Sequence, residues 1–297
     1  MNGWEPERDV FDPRTLAAAR GVLLDTALDR FRADPDVRGV YLAGSLAAGT
    51  ADEWSDIDLR VVVRSEAHAR FVAERRAIPA AWPGHLFNEW LPGTEHCVSH
   101  FEPFTKIDVF YLDAARLAPS PWLALPIRVL HDPDGLIADA VARSAGMAHA
   151  VDPDEVDRSI GKGIAAAHEA VRRARRGELV YAQTLLDELR GHVVRADDWL
   201  HDRPPKPLAS TGRRYDGRAD PDTYAALAAS YVPPEGGAIV RAVRALAAHY
   251  WNQVVALHER FAPERSRQGD ARALQIVQQL ADSPYAAGES DAGDDVR

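Results

Sequence analysis

The sequence of 297 residues is poor in cysteine, lysine and long apolar runs, and each shortage excludes something. Cys97 is the single cysteine, so no internal disulfide can form and no multi-cysteine metal site can be built. No stretch of about 18 apolar residues runs without a charge, which argues against a transmembrane helix. Residues 1–20 carry Glu5, Glu7, Asp9 and Asp12 and no apolar centre, unlike a signal peptide. Together these features predict a cytoplasmic protein without membrane association. Lysine occurs only at Lys106, Lys162 and Lys206, against 32 arginines. With 35 basic and 45 acidic residues the formal net charge is −10, which argues against a general hold on nucleic acid, since that needs a basic surface. From Asp282 onward the chain holds five acids and one arginine in a Gly-, Ser- and Asp-rich setting. That composition predicts a disordered acidic tail over 282–297.

The texture changes near residue 150. Before it, short β-rich runs alternate with helical pieces; after it, Ala-, Leu- and Arg-rich segments with helical spacing dominate. The expected fold class is α+β, with a mixed-sheet domain over 1–150 followed by a helical bundle over 151–281. In the first part, Asp12 and Pro13 open a helix reaching Arg32, with Leu16, Leu23, Leu24, Ala27, Leu28 and Phe31 as its apolar stripe. Strands are expected at Val37–Ala43, Ile57–Val63, Leu86–Leu91, Cys97–Phe101, Phe104–Leu112 and Ile127–Leu130, with a helix at Glu66–Ala77. In the second part, helices are expected at Pro153–Arg176, Glu178–Leu200, Pro221–Ser230, Gly237–Phe261 and Asp270–Leu280. The Pro-containing segment His201–Asp220 reads as a loop.

The stretch from Gly39 to Val63 carries the chemistry. One strand runs into Gly44-Ser45, a short link follows, and a second strand opens with Asp56 and Asp58. Two residues apart on a strand, both carboxylates point to one face, while Ile57, Leu59, Val61 and Val63 face the core. Like charges so placed repel, and a divalent cation with a taste for oxygen ligands, such as Mg²⁺, resolves the repulsion. Gly44 would let a phosphate approach the backbone, and the Ser45 hydroxyl and neighbouring N–H groups could bind its oxygens. Asp108, flanked by Ile107 and Val109, is the candidate third carboxylate of a phosphoryl-transfer site.

Gly-Ser, ten residues, then Asp-x-Asp-Leu between apolar strands, with a third carboxylate on a later strand, resembles the signature of the DNA-polymerase-β-like nucleotidyltransferase superfamily. The mixed domain followed by a helical domain is similar to its small-molecule members, including the aminoglycoside and lincosamide nucleotidyltransferases. The resemblance implies transfer of a nucleoside monophosphate from Mg·NTP, with ATP as the default donor, to a hydroxyl, with release of pyrophosphate. It implies that Gly44 and Ser45 hold the β- and γ-phosphates and that Asp56 and Asp58 bind Mg²⁺. Asp108 either binds a second metal or acts as general base. Lys162, in Gly161-Lys162-Gly163, would lend its charge to the triphosphate, or is simply a solvated lysine. The resemblance also leaves a homodimer open, because several small-molecule members build their sites across two chains.

Weaker signals remain. Glu169 lies seven residues beyond Lys162 on the same helix face, a position from which an auxiliary base could act. Arg172, Arg173, Arg175 and Arg176 read as a helix end complementing the dipole. Tyr181, Leu185, Leu189 and Val193 read as core, and Glu188 and Arg190 as residues that could reach a cleft. His96, Cys97 and His100 suggest zinc, but the strand period sets the cysteine on the face opposite the histidines. Trp54, Trp82, Trp90 and Trp122 are core or cleft-edge candidates. The leading expectation is an adenylyltransferase of a small hydroxylated molecule of the aminoglycoside type, whose positive charge would suit an acidic protein. The alternatives are an adenylyltransferase of a partner protein and a catalytically silent binding module of the same fold.

Overall fold

The side chain of Asp12 accepts a hydrogen bond from the backbone N–H of Arg14, and Pro13 opens a 3-10 turn that runs into α1 (Leu16–Arg32). The helix expected from Asp12 is thus a capped 3-10 turn followed by an α-helix. α1 buries Leu16, Arg20, Leu23, Ala27 and Phe31, which lie three or four residues apart and share one face. The computed structural model describes residues 12–204 and 206–283. The chain divides into two units, Met1–Ala148 and His149–Arg297. The expectations for residues 1–11 and for the tail beyond 283 lie outside the described residues. Asp282, which composition placed in that tail, instead ends a helix and pairs with Arg244 at 3.1 Å.

In the first unit, β1 (Val37–Leu42), β2 (Ile57–Val63), β3 (His85–Glu89), β4 (His96–Phe101), β5 (Thr105–Asp113) and β6 (Arg128–His131) form a mixed sheet in the order β3-β4-β5-β2-β1-β6. β2 and β5 run parallel and the other neighbours antiparallel. All six expected strands are present, with ends shifted by a residue or two. Connecting helices are α2 (Gly44–Ala48), α3 (Ser65–Glu74), α4 (Ala77–Ala80) and α5 (Leu136–Ser144). The single helix expected over Glu66–Ala77 is divided between α3 and α4, and α5 was not expected. Asp132 starts α5 by accepting the N–H groups of Ile137 and Ala138, at 3.2 and 2.9 Å.

One face of the sheet is the core. Ile57, Leu59, Val61 and Val63 are fully buried there, as the strand period requires, with Ile107, Val109 and Tyr111 beside them and Phe31 and Phe71 above. On the other face, Tyr41 and Val62 pack with Leu123, Ile137 and Ala140. The remainder of that second face carries Asp56, Asp58, Lys106 and Asp108.

The second unit is helical: α6 (Pro153–Arg175), α7 (Leu179–Leu200), α8 (Pro221–Ser230), α9 (Gly236–Phe261) and α10 (Arg267–Asp282). Asp152 caps α6, Asp220 caps α8 and Ser266 caps α10 through side-chain acceptance of backbone N–H groups. Leu185, Leu189 and Val193 join the core, but Tyr181 is 49% exposed and lies under Arg173 instead. Gly163 has a packing reason: a Cβ there would stand 2.6 Å from the Tyr250 hydroxyl oxygen, so only glycine lets α6 approach α9 this closely. The loop after α7 is pinned by charge. Asp197 accepts from Tyr215 at 2.7 Å and Arg203 at 2.6 Å, and Asp198 takes two hydrogen bonds from Arg218 at 2.9 and 3.0 Å.

Candidate active site

The site is built by strand pairing. Asp58 on β2 and Asp108 on β5 are direct partners in the parallel register, and Asp56 lies two residues back from Asp58 on the same face. The three expected carboxylates therefore share one face of the sheet. The loop leading into them is held by Arg20, whose Nη1 donates to the carbonyls of Asp52 at 2.8 Å and Ser55 at 2.7 Å. Ser55 Oγ in turn donates to Asp52 Oδ1 at 2.7 Å. A buried arginine thus ties α1 to the residue preceding Asp56.

Gly44 opens α2 with φ of 64°, a left-handed conformation that L side chains rarely adopt. A Cβ at this position would lie 2.1 Å from Asp58 Oδ2. Gly44 is required both by its backbone and by the carboxylate pressed against it. The backbone N–H of Ala43 donates to the carbonyl of Asp58 at 2.9 Å, which locks the end of β1 to the start of β2. Ser45 follows on α2 and is buried.

Lys106 was missed as a site residue. Its Nζ lies 2.9 Å from Asp56 Oδ2 and 3.3 Å from Asp108 Oδ1, between the two carboxylates. Burial works against its charge, but the hydrogen bond to Asp56 and the negative charges of Asp108 and Asp56 outweigh it, so its pKa is raised. For Asp108, burial raises the pKa; the ammonium of Lys106 opposes this, Asp56 and Asp58 reinforce it, and the net shift is upward. Asp108 Oδ1 is buried, and its contact with the ammonium is one of charge without hydrogen-bond geometry.

Arg60 is the second cation missed. It is two residues beyond Asp58, and its guanidinium carbon stands 3.8 Å from the centroid of the Phe110 ring. His96 stacks on Phe110 with centroids 4.5 Å apart. Burial lowers the Arg60 pKa, opposed by the charges of Asp58, Tyr41 and Asp108, though an arginine so placed stays protonated. The strand period that set Asp108 opposite Ile107 and Val109 also assigns Lys106 and Phe110 to its face; that was the available signal.

The donors fit a divalent cation of the Mg²⁺ type: oxygen ligands only, a buried carboxylate oxygen without a hydrogen bond, and a cation already drawn between two carboxylates. Among the described residues no three His, Cys, Asp or Glu side chains stand gathered as a metal site; the Lys106 ammonium lies between Asp56 and Asp108.

Lys162 belongs to the second unit, on α6. It lines a cavity of about 690 Å³ with Arg158, Glu188, His192 and Arg195. His192 is buried, its Nδ1 is 2.7 Å from Ser159 Oγ, and its Nε2 has no hydrogen-bond partner. Burial, with the charges of Arg195 and Lys162, lowers the His192 pKa to about 4. Glu169 is paired with Arg172 and Arg173 on its own helix, so its local partners are structural. Arg190 is buried and hydrogen-bonded to Ser230 Oγ at 2.7 Å. His96 and His100 are separated from the buried Cys97 by the sheet, and His100 pairs with Glu89. Trp82 is core, whereas Trp54, Trp90 and Trp122 are exposed.

Residues 24–92 match a family model described as a nucleotidyltransferase domain. The matched residues lie in the first unit, which the match marks as carrying a nucleotidyltransferase domain. The matched segment includes Gly44, Ser45, Asp56 and Asp58 and ends before β5, so Asp108 joins them through the sheet alone. Among solved structures, an aminoglycoside 6-adenyltransferase from Bacillus subtilis aligns at 16% identity and a TM-score of 0.41, over 88% of this chain and 98% of its own. A nucleotidyltransferase-like protein from Exiguobacterium sibiricum aligns at 14% identity and a TM-score of 0.39, over 87% of each chain. A CD-NTase, CdnG, from Bradyrhizobium diazoefficiens, solved with GTP, aligns at 12% identity and a TM-score of 0.28, over 91% of this chain and 86% of its own. At these TM-scores none of the three bears on the acceptor. No curated protein matches the chain. Among the described residues, no helix is long and apolar enough to cross a membrane.

Proposed function

We propose that this protein transfers AMP from ATP to a hydroxyl of a small, cationic, polyhydroxylated molecule of the aminoglycoside kind and releases pyrophosphate. The observation that carries the reading is the convergence of Asp56, Asp58 and Asp108 on one sheet face, with Gly44 pressed against Asp58 in a backbone conformation reserved for glycine. The acceptor oxygen attacks the α-phosphorus, the bond from that phosphorus to the bridging oxygen of the β-phosphate breaks, and pyrophosphate leaves. The acceptor's proton goes to a carboxylate oxygen of Asp108, the general base of the step. Gly44 and Ser45 hold the phosphates at the mouth of α2. Mg²⁺, held by Asp56 and Asp58 with Asp108 as the further oxygen donor, would neutralise the negative charge of the transferring group. The acidic balance of the chain, −10 overall, favours encounter with a cationic acceptor.

The test is calorimetric titration of Mg·ATP into the wild-type protein and into Asp56→Asn plus Asp58→Asn. Metal-dependent binding in the wild type that disappears in the double variant is expected. Equal binding by both proteins, or none by the wild type, would overturn the reading.

A further inference from the structure

Two cations share the carboxylate face, and they differ in freedom. Arg60 lies over Phe110, whose ring is also stacked by His96, so its charge is fixed. Lys106 has no such clamp. Its side chain is 30% exposed, its ammonium touches Asp56 and Asp108, and it is carried by the flexible four-carbon stem of lysine. Like charges as close as Asp56, Asp58 and Asp108 require a counter-charge when nothing else is bound. Lys106 supplies it at the point toward which a divalent cation would be drawn.

Resting on the nucleotidyltransferase reading above, we infer that Lys106 is the resident counter-cation of the site: a divalent ion enters the Asp56–Asp108 gap only by displacing this ammonium. The displaced charge is then without a carboxylate partner, and the triphosphate arriving with the ion supplies one. Metal alone therefore binds weakly, because it competes with a tethered cation. Metal with nucleotide binds well, because the nucleotide receives the lysine. Lys106 makes the two ligands dependent on each other, and a structural lysine would not have this effect.

The probe is Mn²⁺ binding to the full chain, followed by the paramagnetic resonance of the free ion, without nucleotide and then with a non-hydrolysable ATP analogue. The proteins compared are the wild type, Lys106→Met, Lys106→Gln and the Asp56→Asn plus Asp58→Asn double variant, each checked for folding by circular dichroism. In the wild type, nucleotide should strengthen Mn²⁺ binding markedly. Removing the competing charge should raise the affinity for Mn²⁺ alone by about tenfold or more and shrink the enhancement due to nucleotide. Should Lys106→Met not fold, Lys106→Gln, which keeps a polar, uncharged side chain one bond shorter, carries the test. Unchanged or weaker binding of Mn²⁺ alone in a folded Lys106 variant would overturn the inference. If the wild type nevertheless binds Mn²⁺ with nucleotide and the Asp double variant does not, the function reading survives that result. Absence of Mn²⁺ binding in every protein, with or without nucleotide, would overturn both.

Discussion

Each unit holds a group of carboxylates, and the chain surrounds the two in opposite ways. In the helical unit, Asp197 and Asp198 are almost wholly buried, yet Tyr215, Arg203 and Arg218 meet them with well-formed hydrogen bonds. In the sheet unit, Asp56, Asp58 and Asp108 face one lysine and one stacked arginine, and Asp108 Oδ1 is left without a hydrogen bond. The first arrangement is closed and serves the fold: it pins the loop between α7 and α8. The second is held by charge and leaves a buried oxygen of Asp108 without a hydrogen bond, a feature of ligand sites.

Breaking the two groups should separate these roles. Asp197→Ala leaves the buried Tyr215 hydroxyl without its acceptor and strips Arg203 of one of its two carboxylate partners, and should destabilise the protein by roughly 3–5 kcal/mol in urea unfolding. Asp108→Asn should shift stability by no more than about 1 kcal/mol, because folding already disfavours that carboxylate's charge. The same substitution should abolish metal-dependent nucleotide binding. Loss of stability of equal size in both variants would erase the distinction.

A second effect comes from His192, whose pKa is lowered to about 4 by burial. The unfolded chain binds a proton at this residue near its ordinary pKa of about 6.5, while the folded chain does not until about pH 4. Its contribution is therefore complete above pH 6.5 and falls as the pH drops through that window, by about 3 kcal/mol at most. His192→Gln should flatten this part of the stability profile measured by urea unfolding between pH 4 and 7. The smallest contrast concerns two helical glycines. Gly163→Ala drives a methyl group into Tyr250 and should cost roughly 1–3 kcal/mol. Gly21→Ala on α1 meets open space and should gain about 0.5–1 kcal/mol, readable as a rise in melting temperature.

Much of this was legible in the sequence because it follows from short-range periods. The strand period gave the buried set Ile57, Leu59, Val61 and Val63 and the shared face of Asp56 and Asp58. Asp-Pro pairs marked the starts of α6 and α8. What was missed depended on pairing across the chain. Nothing local states that β5 runs parallel beside β2, so the strand period could set Lys106 beside Asp108 and Arg60 beside Asp58 but could not bring Lys106 to Asp56. Arg20 lies among the apolar positions of α1, a signal that was present, but its partners are the carbonyls of Asp52 and Ser55 more than thirty residues away. α5 was overlooked because a turn sequence, Asp132 to Gly135, doubles as its cap. Tyr181 has the spacing of a core residue but lies where Arg173 covers it.

The pairing of β2 with β5 also ties chemistry to accuracy of assembly. A slip of one residue would expose the apolar face and be rejected by the core. A slip of two would keep Ile107, Val109 and Tyr111 on the inside and cost the hydrophobic core little. Yet it would carry Asp108 about 7 Å along the sheet, away from its partner Asp58. The core reads this register only modulo two, whereas the carboxylate trio reads it absolutely. Homologous or designed chains that keep the burial pattern of these strands can therefore be well folded and inert, and competence for the reaction has to be judged by which residue stands opposite Asp58.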